Sequence, residues 1–202
     1  MPQTARLEFF YEFASTYSYL TAIRIAELAH ARGVDIVWRP FLLGPIFAAQ
    51  GWTTSPFNLY PAKGRYMVRD IERIAKGRGR MFVMPEAFPA NGLHAARIAL
   101  CGEEAGWIGD FTRHIYEAQF ERRADISDFD VLTGILCTMK LDAESILVQS
   151  RANETKDRLR AQSQRAVDLG LFGAPSFVTP DQELFWGDDR LEQALAWTCA
   201  VE

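Results

Sequence analysis

The chain has 202 residues, 49% of them hydrophobic and 24% charged, with 22 basic against 26 acidic side chains and a formal charge of −4. That is the composition of an ordinary globule, large enough to bury a core as one domain or as one domain carrying an insertion, and it excludes disordered, collagen-like and fibrous classes. A net negative chain also argues against general nucleic-acid binding, which needs a basic surface to release phosphate counterions.

Leu7, Phe9 and Tyr11 alternate with Glu8 and Glu12, a period of two that predicts a strand ending at Phe13-Ala14-Ser15. A helix is expected next, capped by Ser15, striped with Leu20, Ile23, Ala26 and Leu28, and closed by Gly33 as a C′ residue. Val34 to Trp38 reads as a second strand ended by Pro40, so the chain opens as a right-handed parallel βαβ unit. Residues 61–169 carry almost only helical stripes: Met67/Ile71/Ile74, Leu93/Ala96/Leu100, Phe111/Ile115/Ala118, Val131/Ile135/Met139 and Leu159/Ala166. Ser127-x-x-Asp130 is expected to open one of these helices as a capping box, and Asp142 to cap another. The tail changes pattern: Pro175–Thr179 and Glu183–Trp186 flank Pro180-Asp181-Gln182 as a hairpin, and a last helix runs from Asp188 to about Ala200. A βαβ start, a ββα end and a helical block between them describe an α/β thioredoxin fold with an all-helical insertion. The expected organisation is 1–60 with 170–202 as the thioredoxin-like domain and 61–169 as the inserted helical domain.

Chemistry is sought first where a strand feeds a helix N-terminus, because free backbone N–H groups and the positive dipole end meet there. Ser15-Thr16-Tyr17-Ser18 occupies that turn. Its hydroxyl suits a bound thiolate or oxyanion, although a plain helix cap explains Ser15 as well. Ala174-Pro175 precedes the third strand and would, if cis, leave the backbone of Ala174 free for an extended ligand; a proline that only begins an edge strand is the plainer reading. Asp188 and Asp189 open the last helix, where one carboxylate satisfies the dipole and a second can meet an ammonium group. Lys63, Arg65, Arg69, Arg73 and Lys76 form the main basic concentration, read as a solvated face partly neutralised by Asp70 and Glu72, with Lys63 at the helix start as the exception.

His30, His94 and His114 show no metal spacing, so no metal is expected. Cys101, Cys137 and Cys199 are scattered, odd in number and free of any Cys-x-x-Cys pair, which points to a reducing compartment. Met1-Pro2-Gln3-Thr4 runs directly into the first strand without a signal-peptide core, and no long apolar run follows, so a cytoplasmic protein without a membrane span is expected. There is no nucleophile elbow, dinucleotide fingerprint or P-loop.

Taken in order, Phe10-Tyr11-Glu12-Phe13-Ala14-Ser15-Thr16-Tyr17-Ser18-Tyr19-Leu20, Arg39-Pro40-Phe41-Leu42-Leu43-Gly44, Lys63-Gly64-Arg65-Tyr66, Phe172-Gly173-Ala174-Pro175-Ser176-Phe177 and Phe185-Trp186-Gly187-Asp188-Asp189-Arg190-Leu191-Glu192 resemble one family. It is that of the 2-hydroxychromene-2-carboxylate isomerases, with the related kappa-class glutathione transferases, in the DsbA-like branch of thioredoxin folds. The resemblance implies glutathione as cofactor, with Ser15 as the catalytic serine that stabilises its thiolate. It further implies that Thr16 and Tyr17 flank the bound cofactor, that Ala174 and a cis Pro175 pair with its cysteinyl part, and that Asp188 and Asp189 hold its γ-glutamyl end. Lys63 would stand near its glycine carboxylate or the substrate, and Trp52 where the transferases place a contacting asparagine. Thr16 replaces the family's proline, and Asp188 stands where the transferases have serine. The implied reaction is reversible thiolate addition that lets a carbon–carbon bond of a small aromatic-derived substrate rotate, with Phe13, Tyr17, Phe47 and Trp52 available to line the pocket. A possible homodimer is implied too. Alternatives are a kappa-like glutathione transferase, or a non-catalytic thioredoxin-like module binding a peptide or glutathione; disulfide exchange is excluded because Ser15–Ser18 holds no cysteine.

Overall fold

A computed structural model describes residues 5–201, so the reading of Met1 to Thr4 lies outside the described residues. Strands β1 (Ala5–Tyr11) and β2 (Val34–Pro40) pair in parallel, Ala5 opposite Val34 and Tyr11 opposite Pro40. β3 (Ser176–Val178) runs antiparallel to β1 with Phe177 opposite Phe9, and β4 (Leu184–Trp186) runs antiparallel to β3. The sheet order is β2-β1-β3-β4, a parallel βαβ unit joined to an antiparallel hairpin, which is the thioredoxin arrangement.

β1 lies inside the sheet and is covered on both faces, which explains its near-continuous apolar run. Leu7, Phe9 and Tyr11 face the larger core, while Phe10 packs with Phe41, Ile46, Ala166, Leu171 and Val178 on the opposite face. Glu8 shares that second face and is held there by Arg39 and Arg165 at 3.0 and 2.7 Å. The alternation places Glu8 on the side away from Phe9, and that side turns out to be packed as well.

The helix expected from Ser15 to Gly33 is two helices, α1 (Thr16–Ala22) and α2 (Ile25–His30). The break falls at Arg24, whose φ of −133° leaves the helical region. Its guanidinium reaches across to the carbonyl and carboxylate of Asp188. Gly33 closes α2 at φ +67°, a conformation that favours glycine.

Eight helices follow before β3: α3 (Leu43–Ala49), α4 (Pro56–Leu59), α5 (Pro61–Gly77), α6 (Leu93–Cys101), α7 (Ile108–Arg122), α8 (Phe129–Thr138), α9 (Ala143–Arg151) and α10 (Asn153–Asp168). Within 61–169 the described structure contains no strand. The expected stripes point inward, with Met67, Ile71, Phe111, Ile115, Ile135 and Leu159 sharing one buried cluster with Leu7, Phe9 and Tyr11 of the sheet; in α8 the buried face is Leu132, Ile135 and Leu136, and the expected Val131 and Met139 are only partly buried. Asp142 caps α9 as expected, accepting from the Ser145 N–H. The cap of α8 is Asp128 rather than Ser127, because the Ser127 hydroxyl is spent on Asp125 two residues earlier. The segment after β2, to which no element was assigned from the sequence, is helical in α3 and α4, with Pro56 at the first position of α4, where its missing N–H costs nothing. The last helix, α11 (Leu191–Ala200), is entered through a 3-10 turn over Asp188–Arg190. Among the described residues no helix is long and apolar enough to cross a membrane.

Candidate functional site

β1 ends in a tight turn that delivers Ser15 to the start of α1. The Ser15 N–H donates to the Glu12 carbonyl at 2.9 Å, and Ser15 stays extended at φ −79°, ψ 115°, the conformation of an N-cap. Its Oγ accepts from the Ser18 N–H at 3.1 Å and donates to the Ala174 carbonyl at 2.9 Å. That second bond joins residues 159 positions apart in sequence, so the two ends of the fold meet at this hydroxyl. The Ala174–Pro175 peptide is cis. The Ser176 hydroxyl donates to the Gly173 carbonyl, and the Gly187 N–H donates to the Pro175 carbonyl, which fixes this corner against the entry to α11.

The hydroxyl of Ser15 has one proton and two lone pairs. It can therefore turn its proton from Ala174 toward an anion in front of the turn while still accepting from Ser18. Ser15 and Ala174 are both half-buried, accessible to a ligand and shielded from bulk water. This is an environment in which a hydrogen bond to an ionised group counts for more than at an open surface.

The neighbouring expectations divide. Thr16 is buried and its hydroxyl donates to the Met67 sulfur at 3.2 Å, so the side chain faces α5 and only its backbone stands at the turn. Tyr17 is half-buried; its phenol donates to Asp70 Oδ2 at 2.9 Å and its ring packs beside Phe57. Burial first, and then Asp70, hold the Tyr17 phenol well above its ordinary range, with Tyr66 and Asp189 adding to the effect. Tyr17, Asp70, Tyr66 and Asp189 therefore share one electrostatic neighbourhood.

Lys63 stands exposed in the first turn of α5 with its ammonium 4.9 Å from the Tyr60 ring centroid, and no carboxylate partner for it is found among the described residues. Trp52, past the end of α3, packs on Phe47 at 5.6 Å. Phe13 is core: it is buried against Tyr11 and Tyr116, because the turn folds its ring under the sheet, and it cannot line a pocket. A cleft of about 530 Å³ lies between α4, α5 and residues 84–88, walled by Phe57, Pro61, Gly64, Val68, Met84 and Phe88. Tyr17 adjoins this cleft through Phe57.

Asp188 corrects an expectation. It is 4% exposed, and its carboxylate takes the Thr21 hydroxyl at 3.0 Å, Arg24 at 3.2 Å and Arg78 at 2.6 Å. With its lone pairs occupied by the chain's own donors, it is not free for a ligand's ammonium group. Asp189 is the opposite case, 73% exposed at the side chain and, among the described residues, paired only with its neighbour Arg190. Gly187 makes this split possible: at φ +111° it aims successive carboxylates in and out, and a Cβ there would come within 2.6 Å of Asp189 Oδ1.

Sequence reasoning missed Arg24, which reads as a polar position between the stripe residues of its helix, and Arg78, which no pattern singles out. It also missed Glu12, which reads only as a polar residue alternating with the apolar positions of the first strand. Burial pushes the Glu12 carboxyl up to about 8, against the opposing pull of the Ala14 N–H that it accepts at 2.9 Å.

Comparison with known proteins places this geometry. A DSBA-like thioredoxin domain is matched over residues 6–196. The chain is 27% identical over 190 residues to a 2-hydroxychromene-2-carboxylate isomerase of Sphingobium xenophagum, covering 94% of this chain and 95% of that one. It is 25% identical over 203 residues to glutathione S-transferase kappa 1 of Caenorhabditis elegans, covering 94% and 89%. A solved 2-hydroxychromene-2-carboxylate isomerase superposes with a TM-score of 0.85 over 97% of both chains at 22% identity, a likeness of fold.

Proposed function

The chain belongs to the family of DSBA-like thioredoxin domains, and from that premise we propose that it is a glutathione-dependent isomerase of aromatic-catabolite type, acting on 2-hydroxychromene-2-carboxylate or a close relative. The observation that carries this reading is the Ser15 hydroxyl set between the Ser18 N–H and the carbonyl beside a cis proline, in a turn with no cysteine.

The donors present fit glutathione. Ala174 offers a backbone carbonyl to an extended peptide, Asp189 an exposed carboxylate for an ammonium group, and Lys63 an exposed ammonium for a carboxylate. When bound, glutathione supplies a thiol whose anion adds reversibly to an unsaturated carbon. The chain's contribution is to hold that sulfur as an anion. Ser15 Oγ turns its proton toward the sulfur while the Ser18 N–H fixes the oxygen. A hydrogen bond to a charged group contributes about 1.5–3 kcal/mol, which lowers a thiol pKa of about 8.5 by roughly one to two units, to the neighbourhood of neutral pH, and raises the anion from a few per cent to a large share of the bound sulfur. A serine performs this task without forming the mixed disulfide that a cysteine would form.

Kinship to a kappa-class transferase favours conjugation as a second reading. Purified protein should bind glutathione in a calorimeter and isomerise 2-hydroxychromene-2-carboxylate without consuming it, and Ser15→Ala should slow that turnover. Consumption of glutathione with a general electrophile would select the transferase reading, and absence of binding would defeat both.

A further inference from the structure

The cleft between α4, α5 and residues 84–88 begins where the Ser15 turn leaves off. The Thr16 hydroxyl donates to the Met67 sulfur at 3.2 Å, and the Tyr17 ring lies 6.4 Å from that of Phe57; Met67 and Phe57 both line the cleft. The two residues after Ser15 therefore back its wall. α4 is pressed on α5 at Gly64, where an added Cβ would stand 2.4 Å from the Phe57 carbonyl oxygen, so close backbone packing holds this wall in place. At about 530 Å³ the cleft falls within the range of small-molecule sites, about 300–1,000 Å³. Its lining is apolar over Phe57, Pro61, Met67, Val68, Met84 and Phe88, and aromatic and methionine side chains suit a flat ring.

The polar side chains at the cleft are Asn58, Arg65, Arg69 and Glu72. The Asn58 amide donates to the Phe88 carbonyl at 3.1 Å and to the Thr54 hydroxyl at 3.2 Å, and Arg69 is paired with Glu72 at 3.0 Å. Among the described residues no hydrogen bond or ion pair includes the Arg65 side chain, although Arg69 and Arg73 on the same helix each have a carboxylate. Its neighbours one turn away on α5 are Pro61, Ala62, Val68 and Arg69, none of them negative. A guanidinium left over beside an apolar cleft presents the planar donor fork that a carboxylate accepts.

We propose that this cleft takes a flat, ring-bearing carboxylate beside the Ser15 turn, its ring among Phe57, Val68, Met84 and Phe88, and that Arg65 pairs with the carboxylate and so selects acidic over neutral substrates. Because Arg65 is exposed, the pair gives a several-fold preference rather than a large one. The inference rests on the isomerase reading for its consequence in turnover, but not for the binding itself.

Calorimetric titration with 2-naphthoate and with the neutral 2-naphthamide tests it. The wild type should bind the acid several-fold more tightly than the amide. Arg65→Gln should bind the two alike and keep the wild-type affinity for glutathione, whereas Lys63→Gln, two residues away, should keep the preference. Val68→Trp, which fills the cleft, should weaken both ligands. A wild type without preference, a preference that survives Arg65→Gln or disappears with Lys63→Gln, or a Val68→Trp variant that binds both ligands as the wild type does would overturn the proposal. A wild type that prefers the acid but binds no glutathione overturns the reading of function instead, and leaves the selectivity of the cleft standing.

Discussion

The Ser15 corner and the Asp188 corner are built from the same materials: a short polar residue at the entry to a helix, facing a segment from the far end of the chain. They differ in what is left over. Asp188 is surrounded by Thr21, Arg24 and Arg78, whose donors occupy its oxygens and close the corner to ligands. Ser15 has one backbone donor and one backbone acceptor, a half-buried setting and a proton free to rotate. A polar residue at a helix start is therefore structural when side-chain partners saturate it, and it becomes a candidate for chemistry when only backbone groups hold it.

Breaking the closed corner should have the largest effect. Asp188→Ala leaves two arginine side chains, 17% and 29% exposed, without their shared carboxylate. Loss of one partner from a buried ionic cluster costs about 3–5 kcal/mol, and the partial exposure of the arginines puts the expected loss near about 3 kcal/mol by denaturant titration. A loss below about 1 kcal/mol would show that the cluster is not the structural clamp described. Ser15→Ala should act on the open corner and spare the fold: a cap loss of about 1 kcal/mol in stability, against a fall of roughly 10- to 100-fold in kcat/KM for glutathione-dependent turnover. Equal damage to stability and none to turnover would reverse the two corners' roles.

Gly187→Ala tests the hinge between the two carboxylates. The positive φ of +111° makes the added methyl costly, by about 1–3 kcal/mol, readable as a lowered unfolding midpoint, while the exposed Asp189 carboxylate can move aside. Asp189→Ala, one residue beyond Asp188, should leave that midpoint unchanged because the side chain is exposed, yet weaken glutathione binding several-fold in a calorimetric titration. An Asp189 variant that unfolds like the Asp188 variant would erase the distinction between them.

The contrast also separates what the sequence discloses from what it hides. The strand alternation over Leu7–Tyr11, the glycine stop at Gly33 and the hairpin around Asp181 are local patterns, and each appears in the structure. Ser15 and Ala174-Pro175 were legible only as an ordered pair of segments; the bond between them spans 159 positions and belongs to the fold. Asp188 was misread because its partners Arg24 and Arg78 lie 164 and 110 positions away, and at that distance two adjacent aspartates look alike. Glu12 was hidden for a related reason: it follows the last residue of β1, and its carbonyl turns to hold the Ser15 N–H and the hydroxyl of Tyr116, which lies 104 positions away. Helices α3 and α4 were missed because short proline-interrupted stretches carry too little periodicity to be told from loop.

The central claim is that Ser15 holds a borrowed thiol as its anion. Its most direct measurement is the pH titration of the thiolate's ultraviolet absorbance for glutathione bound to the wild-type protein and to Ser15→Ala. The account predicts that the bound thiol of the wild type titrates roughly one to two units below free glutathione, and that the alanine variant returns most of this shift. Identical titrations of the two proteins would contradict it.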